Sequence, residues 1–167
     1  MTHALYAGSF DLLTNGHVWV ATEAARVFEH VTVAVMVNPD KRPMFGVAER
    51  VEMLEEALKG VTNIDVTSSE FVFQVDLARS LGAKFLVRGI RDAVDAEFER
   101  KMRHLNEDIA QQPAPVTWFI MPPRELAEIS SSMVKGMIGP QRWEAVVQQY
   151  VPPDVYVELL RRFGPQT

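Results

Sequence analysis

The stretch from Val31 to Val37, Val-Thr-Val-Ala-Val-Met-Val, constrains the fold more than any other segment of this chain. It is rich in β-branched residues and apolar on both alternating faces, whereas a strand with one face in water alternates apolar and polar residues. Continuous apolar strands are typical of parallel sheets that helices cover on both sides. Four shorter runs, at residues 3–7, 64–67, 85–88 and 116–121, predict the other strands.

Amphipathic helical patterns lie between the predicted strands. Residues 47–58 carry apolar side chains at spacings of three and four, and residues 94–109 repeat this pattern in the longest predicted helix. This alternation predicts an α/β fold: a Rossmann-like, doubly wound and mainly parallel sheet of five strands with helices on both faces. We expect residues 1–167 to form a single domain, with the C-terminal helices from about residue 141 packing on its core.

Composition excludes several classes of protein. The chain has no cysteine, which rules out a disulfide framework and a thiolate metal site. Its net charge of −5 argues against a nucleic-acid binder, which usually has a basic surface. The N-terminus lacks a signal-peptide pattern, and no apolar run reaches the roughly 20 residues of a membrane-spanning helix. We therefore expect a cytoplasmic protein with neither nucleic-acid nor membrane partners.

Positive charge is concentrated where the predicted strands end. Lys41 and Arg42 follow the second strand, and Arg88 and Arg91 follow the fourth. In doubly wound sheets, ligands bind in the crevice beyond the carboxyl ends of the strands. The pattern is consistent with a small anionic ligand at that edge, and equally with loop charges that face water, so charge distribution alone leaves both open.

The loop after the first strand carries the residues best suited to bind phosphate. Gly8 lets the backbone approach a ligand closely, and Ser9 offers a hydroxyl and a backbone N–H. Gly16 precedes His17, which falls in the first turn of a predicted helix, where unpaired N–H groups and the helix dipole favour anions. On these residues alone, His17 could bind phosphate or simply stabilise the turn.

Three further loops offer groups that bind anions. Lys41, in the loop of residues 38–45, is a flexible charge that could reach the phosphates of two reactants. Arg88 and Arg91 flank a glycine, and guanidinium groups match phosphate with paired donors, although ion pairs with nearby aspartates are an alternative. The serines of residues 130–132 open a helix, either as a phosphate cradle or as a helix cap. No cluster of carboxylates predicts a metal site within the protein.

The loop sequences also resemble those of a known family. Residues 8–17, Gly-Ser-Phe-Asp followed by Thr-x-Gly-His, resemble the signature of the nucleotidyltransferase superfamily that carries an H/T-x-G-H motif. Residues 38–45 are similar to the N/S-P-x-K-x-x-M-F segment of phosphopantetheine adenylyltransferases. Residues 88–99 match that family's Arg-Gly-Ile/Leu-Arg block with its Asp-x-Glu-Phe/Tyr-Glu continuation, and residues 129–132 match its Ile/Val-Ser-Ser-Ser block. Four blocks in the family's order and spacing extend the resemblance over nearly the whole chain.

This resemblance implies a direct adenylyl transfer. The phosphate of 4′-phosphopantetheine attacks the α-phosphorus of ATP, giving dephospho-coenzyme A and pyrophosphate. Ser9 and Lys41 are expected to align the attacking phosphate, and His17 and Arg91 to stabilise the α-phosphate and the leaving pyrophosphate. A phosphate dianion is already a nucleophile, so catalysis should consist of positioning and charge stabilisation.

The resemblance also assigns two binding sites. The substrate site is expected to contain Gln74 and Arg88 in addition to Ser9 and Lys41. Gln74 and residues 126–128 depart from the family's usual side chains, which leaves their contacts with the pantetheine arm and the adenine open. The ATP site is expected to comprise Ser9, Phe10, His17, Gly89, Ile90, Arg91, Glu99, Leu126, Ala127, Glu128, Ile129, Ser130, Ser131 and Ser132.

The family likeness extends to cofactor and partners. It implies Mg²⁺ delivered with ATP, a homohexamer, and coenzyme A as a possible feedback inhibitor. Two other functions remain open at this stage. One is a related nucleotidyltransferase such as a nicotinamide-mononucleotide adenylyltransferase, which more often carries Ile-Ser-Ser-Thr with a downstream arginine. The other is a non-catalytic nucleotide-binding module.

Overall fold

The structure is a computed structural model that describes residues 1–37, 42–110 and 113–165. The predicted site residue Lys41 therefore lies outside the described residues. In chain order the elements are β1 (His3–Gly8), α1 (Asn15–Val27), β2 (His30–Met36), α2 (Val47–Leu58), β3 (Ile64–Ser69), α3 (Gln74–Leu81), β4 (Phe85–Gly89), α4 (Ala93–Ile109), β5 (Val116–Ile120), α5 (Arg124–Ala127), α6 (Ser131–Met137), α7 (Trp143–Val147) and α8 (Pro153–Phe163).

The five strands form one parallel sheet in the order β3-β2-β1-β4-β5. This confirms the predicted α/β fold class. The run that dominates the sequence is β2, which lies between β3 and β1, and Val31, Val33 and Val35 are fully buried. The chain builds outward from β1 through β2 and β3, then returns to the other side of β1 for β4 and β5. The strand order thus reverses between β1 and β4, where a crevice is expected at the carboxyl edge.

Helices cover both faces of the sheet. Successive residues of β1 point to opposite faces, so Ala4 and Tyr6 belong to one hydrophobic cluster, and Leu5 and Ala7 to another. The first cluster includes buried residues of α1 and α2, and the second includes buried residues of α3. The C-terminal helices and the segment between them add to the first cluster through Trp143, Val147, Val151, Val155 and Leu159.

The longest helix among the described residues, α4, does not bury its apolar stripe. Val94 is 78% exposed, Phe98 57% and Leu105 47%, whereas the polar residues Glu99 and Asn106 are buried. The periodic pattern correctly predicted a helix, but most of its apolar face is exposed, and of the stripe Ile109 packs against the second cluster. Of the helices in the described ranges, none combines the length and the apolar character that a membrane crossing requires.

Candidate active site

A cavity of about 430 Å³ opens at the carboxyl edge of the sheet, at the switch between β1 and β4. Its walls come from the turn after β1, the start of α1, the end of β4, α4, and the segment that leads into α6. This arrangement brings three separate stretches of sequence, within residues 6–20, 88–99 and 122–135, to one place. The predicted site residues that line it are Ser9, Phe10, His17, Arg88, Gly89, Arg91, Glu99, Leu126, Ile129, Ser130, Ser131 and Ser132.

Four predicted residues lie outside this lining. Ile90 donates its backbone N–H to the Ile120 carbonyl at 2.9 Å and so continues the pairing of β4 with β5. Ala127 and Glu128 connect Leu126 and Ile129, which do line the cavity. Gln74 is the first residue of α3, and no described feature brings it into the cavity wall. Its place in a substrate site stays a prediction.

Gly8, the last residue of β1, packs closely against the turn that follows it. A Cβ atom at Gly8 would lie 3.1 Å from the Phe10 ring, a tighter approach than ordinary contact. The Phe10 ring is buried and meets the His17 ring edge-on, with centroids 5.3 Å apart. The absence of a side chain at Gly8 therefore leaves room for the Phe10 ring, and Phe10 lines the cavity.

His17 is held in one tautomer by the start of α1. Its Nδ1 accepts the backbone N–H of Thr14 at 3.1 Å and lies 3.1 Å from the Thr14 hydroxyl oxygen. A nitrogen that accepts from an amide carries no proton, so the ring hydrogen is on Nε2. Burial, with the nearby Arg91 charge, lowers the pKa of His17 to about 4. At neutral pH His17 is therefore an uncharged donor, and among the described residues nothing accepts the Nε2 hydrogen.

Arg88 is fixed in the cavity wall by a fork-to-fork ion pair. Its Nε and Nη2 donate to the two Glu99 carboxylate oxygens at 2.7 and 2.6 Å, and its Nη1 donates to the Ala7 carbonyl at 2.9 Å. Paired hydrogen bonds of this kind fix both the position and the plane of a guanidinium. Sequence reasoning assigned Glu99 to the nucleotide and missed this partnership across β4 and α4.

Arg91 is paired with an acid of α4. Its Nε and Nη2 donate to Asp95 at 2.6 and 3.0 Å, and its Nη1 reaches the Ile129 carbonyl at 3.3 Å. The hydrogen bond from Arg91 lowers the pKa of Asp95 below its usual value, so the pair stays ionised. The ion pair considered as an alternative for Arg91 does exist, and both partners nevertheless line the cavity.

The serine block has defined structural roles. The Ser130 Oγ accepts the Met133 N–H at 3.1 Å, so Ser130 caps α6 as predicted. The Ser131 hydroxyl donates to the Leu12 carbonyl at 2.7 Å and ties α6 to the turn after β1. The contact with Leu12 holds α6 in a fixed position relative to the turn after β1, although the two segments are far apart in sequence.

Sequence reasoning missed a further ion pair in the cavity, between Asp11 and Lys135. Asp11 also accepts the backbone N–H groups of Met44 and Phe45 at 3.0 Å. Burial opposes its ionisation, but Lys135 and these N–H groups together hold the pKa of Asp11 below its usual value. Lys135 lies one helical turn after Ser131, a spacing that could have indicated it.

The lining therefore offers groups that bind anions. Within the described ranges, no group of three or more histidine, cysteine, aspartate or glutamate side chains is arranged to hold a metal ion. The carboxylates of Asp11, Asp95 and Glu99 are each paired with a cation. With the neutral His17 donor, this set suits a phosphorylated ligand.

Comparison with known proteins agrees with this chemistry. A family model described as cytidylyltransferase-like matches residues 5–137. The phosphopantetheine adenylyltransferase of Chromobacterium violaceum is 49% identical over 99% of this chain and 100% of its own length. That of Neisseria meningitidis is 48% identical over 94% of this chain and 91% of its own length.

In fold, the chain matches Plasmodium falciparum nicotinic acid mononucleotide adenylyltransferase complexed with NaAD, with a TM-score of 0.69 and 16% identity. The match covers 97% of this chain and 95% of the other. The motif resemblance is thus confirmed, and the chain belongs to the cytidylyltransferase-like family and to the phosphopantetheine adenylyltransferases.

Proposed function

We propose that this protein transfers the adenylyl group of ATP to 4′-phosphopantetheine, giving dephospho-coenzyme A and pyrophosphate. The observation that carries the proposal is the cavity at the strand-order switch, where His17, Arg88 and Arg91 meet the turn at Ser9. Relatives that share nearly half of their residues over the full chain bear the name of this activity.

The reaction needs no covalent bond to the protein. An oxygen of the pantetheine phosphate forms a bond to the α-phosphorus of ATP, and the bond from that phosphorus to the bridging oxygen breaks. The electron pair leaves with pyrophosphate. The attacking phosphate is already a dianion, so no proton has to be removed from it. In this scheme Ser9 and Lys41 align the attacking phosphate, and His17 and Arg91 stabilise the negative charge of the transition state.

The neutral state of His17 suits this task. A donor that is neutral at physiological pH needs no protonation step before each turnover, and its Nε2 hydrogen is available to a phosphate oxygen. The hydrogen bonds from Thr14 fix the ring before substrate arrives. Donors that are already oriented need no reorganisation as charge develops, which is the main source of electrostatic catalysis.

The paired arginines can still bind phosphate. A guanidinium has five N–H donors. Arg88 uses three of them on Glu99 and Ala7, and Arg91 uses three on Asp95 and Ile129, which leaves two on each arginine. The carboxylates thus orient each guanidinium and leave a pair of donors for a ligand. We assign Arg88 to phosphopantetheine and Arg91 to the phosphates of ATP.

We also propose that Mg²⁺ enters as its complex with ATP. The carboxylates near the cavity are paired with cations, and Mg²⁺ usually binds to substrate phosphates and few protein oxygens. Excess EDTA should abolish turnover, and added Mg²⁺ should restore it. Calorimetry should show no Mg²⁺ binding to the protein alone, and Mg²⁺ should raise the affinity of the protein for ATP.

The exposed stripe of α4 supports the proposed homohexamer. Val94, Phe98 and Leu105 form an apolar face that further copies of the chain could cover. Sedimentation analysis should give a six-chain mass for the wild type and a smaller one for Leu105→Glu. Val157→Glu is the matched control, since Val157 is 63% exposed on α8, and it should leave the mass unchanged. A six-chain Leu105→Glu variant would exclude this face as the interface.

Coenzyme A is proposed as an inhibitor because it carries the same pantetheine arm as the product. It should compete with phosphopantetheine in initial-rate measurements. The cytoplasmic location expected from the sequence stays a prediction.

The decisive experiment is pyrophosphate release from ATP in the presence of candidate acceptors. We expect release with 4′-phosphopantetheine, together with dephospho-coenzyme A detected by its mass. Release with nicotinamide mononucleotide alone would favour the related nucleotidyltransferase. ATP binding without release for any acceptor would favour the non-catalytic module.

A further inference from the structure

Arg50 of α2 is a buried cation that contacts the turn after β1. This turn lines the cavity, whereas Arg50 itself is not part of the lining. Arg50 is 3% exposed. Its Nη1 donates to the Ser9 carbonyl at 2.7 Å, and its Nε donates to the Gly46 carbonyl at 3.3 Å. Among the described residues, no carboxylate lies within ion-pair distance of it. Buried arginines are usually paired with acids, so one held by carbonyl oxygens needs an explanation.

The Ser9 carbonyl bond fixes the direction of the next amide. The peptide between Ser9 and Phe10 is trans, and in a trans peptide the C=O and N–H groups point to opposite sides. With the Ser9 oxygen directed at Arg50, the Phe10 N–H is directed away from Arg50. Phe10 lines the cavity, and nothing among the described residues accepts a hydrogen bond from its N–H.

The backbone of Phe10 also requires such an anchor. Its φ is 46°, in the left-handed region that residues with large side chains rarely adopt. An unusual backbone conformation persists where surrounding contacts hold it, and such sites are frequent near functional centres. Arg50 supplies one of these contacts at the carbonyl directly before Phe10.

We propose that Arg50 is a positioning residue for the reaction: by holding the Ser9 carbonyl, it directs the Phe10 N–H into the cavity as a phosphate donor. Its charge also polarises the Ser9–Phe10 peptide, which strengthens the N–H as a donor. Arg50 itself touches no substrate. The expected change in kcat rests on the proposed function, whereas the orientation of the Phe10 amide can be tested without turnover.

The kinetic test compares two arginines that each hold a backbone carbonyl. Arg50→Met removes the contact with Ser9 and should lower kcat about 10²-fold, the scale of a small misplacement at a reacting centre. Arg50→Lys keeps the charge and one donor and should recover part of that loss. The control is Arg162→Met, because Arg162 donates to the Met44 carbonyl at 2.9 Å and stacks on the Phe45 ring and, among the described residues, contacts neither Ser9 nor Phe10. It should lower the thermal midpoint and leave kcat within about threefold of wild type.

The test without turnover uses the Phe10 amide directly. In protein labelled with ¹⁵N-phenylalanine, titration with inorganic pyrophosphate should shift the Phe10 amide resonance of the wild type and of Arg162→Met, and leave it unmoved in Arg50→Met.

An equal shift in folded Arg50→Met would overturn the proposal, as would a kcat that falls equally in Arg50→Met and Arg162→Met. If Arg50→Met does not fold, the wild type carries the test, and a Phe10 amide resonance that pyrophosphate does not shift would overturn the proposal. A wild type that shifts its Phe10 amide but releases no pyrophosphate from ATP would refute the proposed function and leave the role of Arg50 intact.

Discussion

Replacing His17 with asparagine and with glutamine separates the roles of its two ring nitrogens. The asparagine amide of His17→Asn reaches roughly the position of Nδ1 and can keep accepting the Thr14 N–H. It has nothing at the position of Nε2. The longer amide of His17→Gln reaches roughly the position of Nε2 and can donate there, but it leaves the Thr14 N–H without its acceptor. One variant therefore removes the proposed catalytic donor, and the other removes the structural acceptor.

The expected magnitudes follow from these contacts. Loss of a preoriented donor to the transition state lowers kcat about 10²–10³-fold, so His17→Asn should show this loss. Its free energy of unfolding should fall by about 1 kcal/mol, because the edge contact with Phe10 disappears. His17→Gln should keep more turnover and lose about 0.5–2 kcal/mol of stability with the helix-start contact.

The assay is continuous pyrophosphate release under saturating substrates, with urea unfolding of the same preparations. His17→Ala is a poor choice, because it removes both functions together. If folded His17→Asn retains a kcat within about tenfold of wild type, Nε2 is not a transition-state donor. If both amide variants lose kcat equally, the intact ring matters and the separation of roles is wrong.

Three further predictions concern pH and the binding residues. Because the pKa of His17 is about 4 in the folded protein and 6.5 unfolded, its stabilising contribution is complete above pH 6.5 and falls as the pH drops towards 4, by up to about 3 kcal/mol. Urea unfolding at pH 7 and 4.5 should show a larger loss for wild type than for His17→Asn, and equal losses would contradict the assignment. Arg88→Ala should mainly weaken phosphopantetheine binding in calorimetry, whereas Arg91→Ala should mainly lower kcat; equal loss of ATP affinity in both would refute the split. Gln74→Leu should change the KM for phosphopantetheine by less than about tenfold and leave the KM for ATP unchanged, because lost amide pairing and restored apolar contact offset each other. A large change in the ATP constant would place Gln74 elsewhere.

The sequence predicts the sheet and the edge that binds ligand because both depend on local patterns. The apolar run of β2 could be buried on both faces only as an inner strand, and it is one. Strand-to-helix alternation then places the loops after β1 and β4 together at the switch point. The short helix α5, of four residues, was not predicted, since periodicity cannot be recognised over so few residues.

The pairings between distant parts of the sequence could not be predicted in the same way. Asp11 and Lys135 are 124 residues apart, and Arg50 and Ser9 are 41 apart. Such partners depend on how helices lie on the sheet, which no local spacing encodes. The same limit applies to the stripe of α4: a pattern of apolar residues indicates that a face exists, and it does not indicate what covers it.

The cations that line the cavity differ in their partners from Arg50, which lies behind it. Arg88, Arg91 and Lys135 each have a carboxylate partner, so they present oriented donors with little excess charge. A reaction that releases pyrophosphate benefits from this balance, because strongly excess positive charge would bind the leaving polyanion tightly and slow its release. Among the described residues, Arg50 differs by having carbonyl partners and no acid. Its charge therefore acts through a peptide bond, where it can strengthen a donor without offering a competing ion pair to the product.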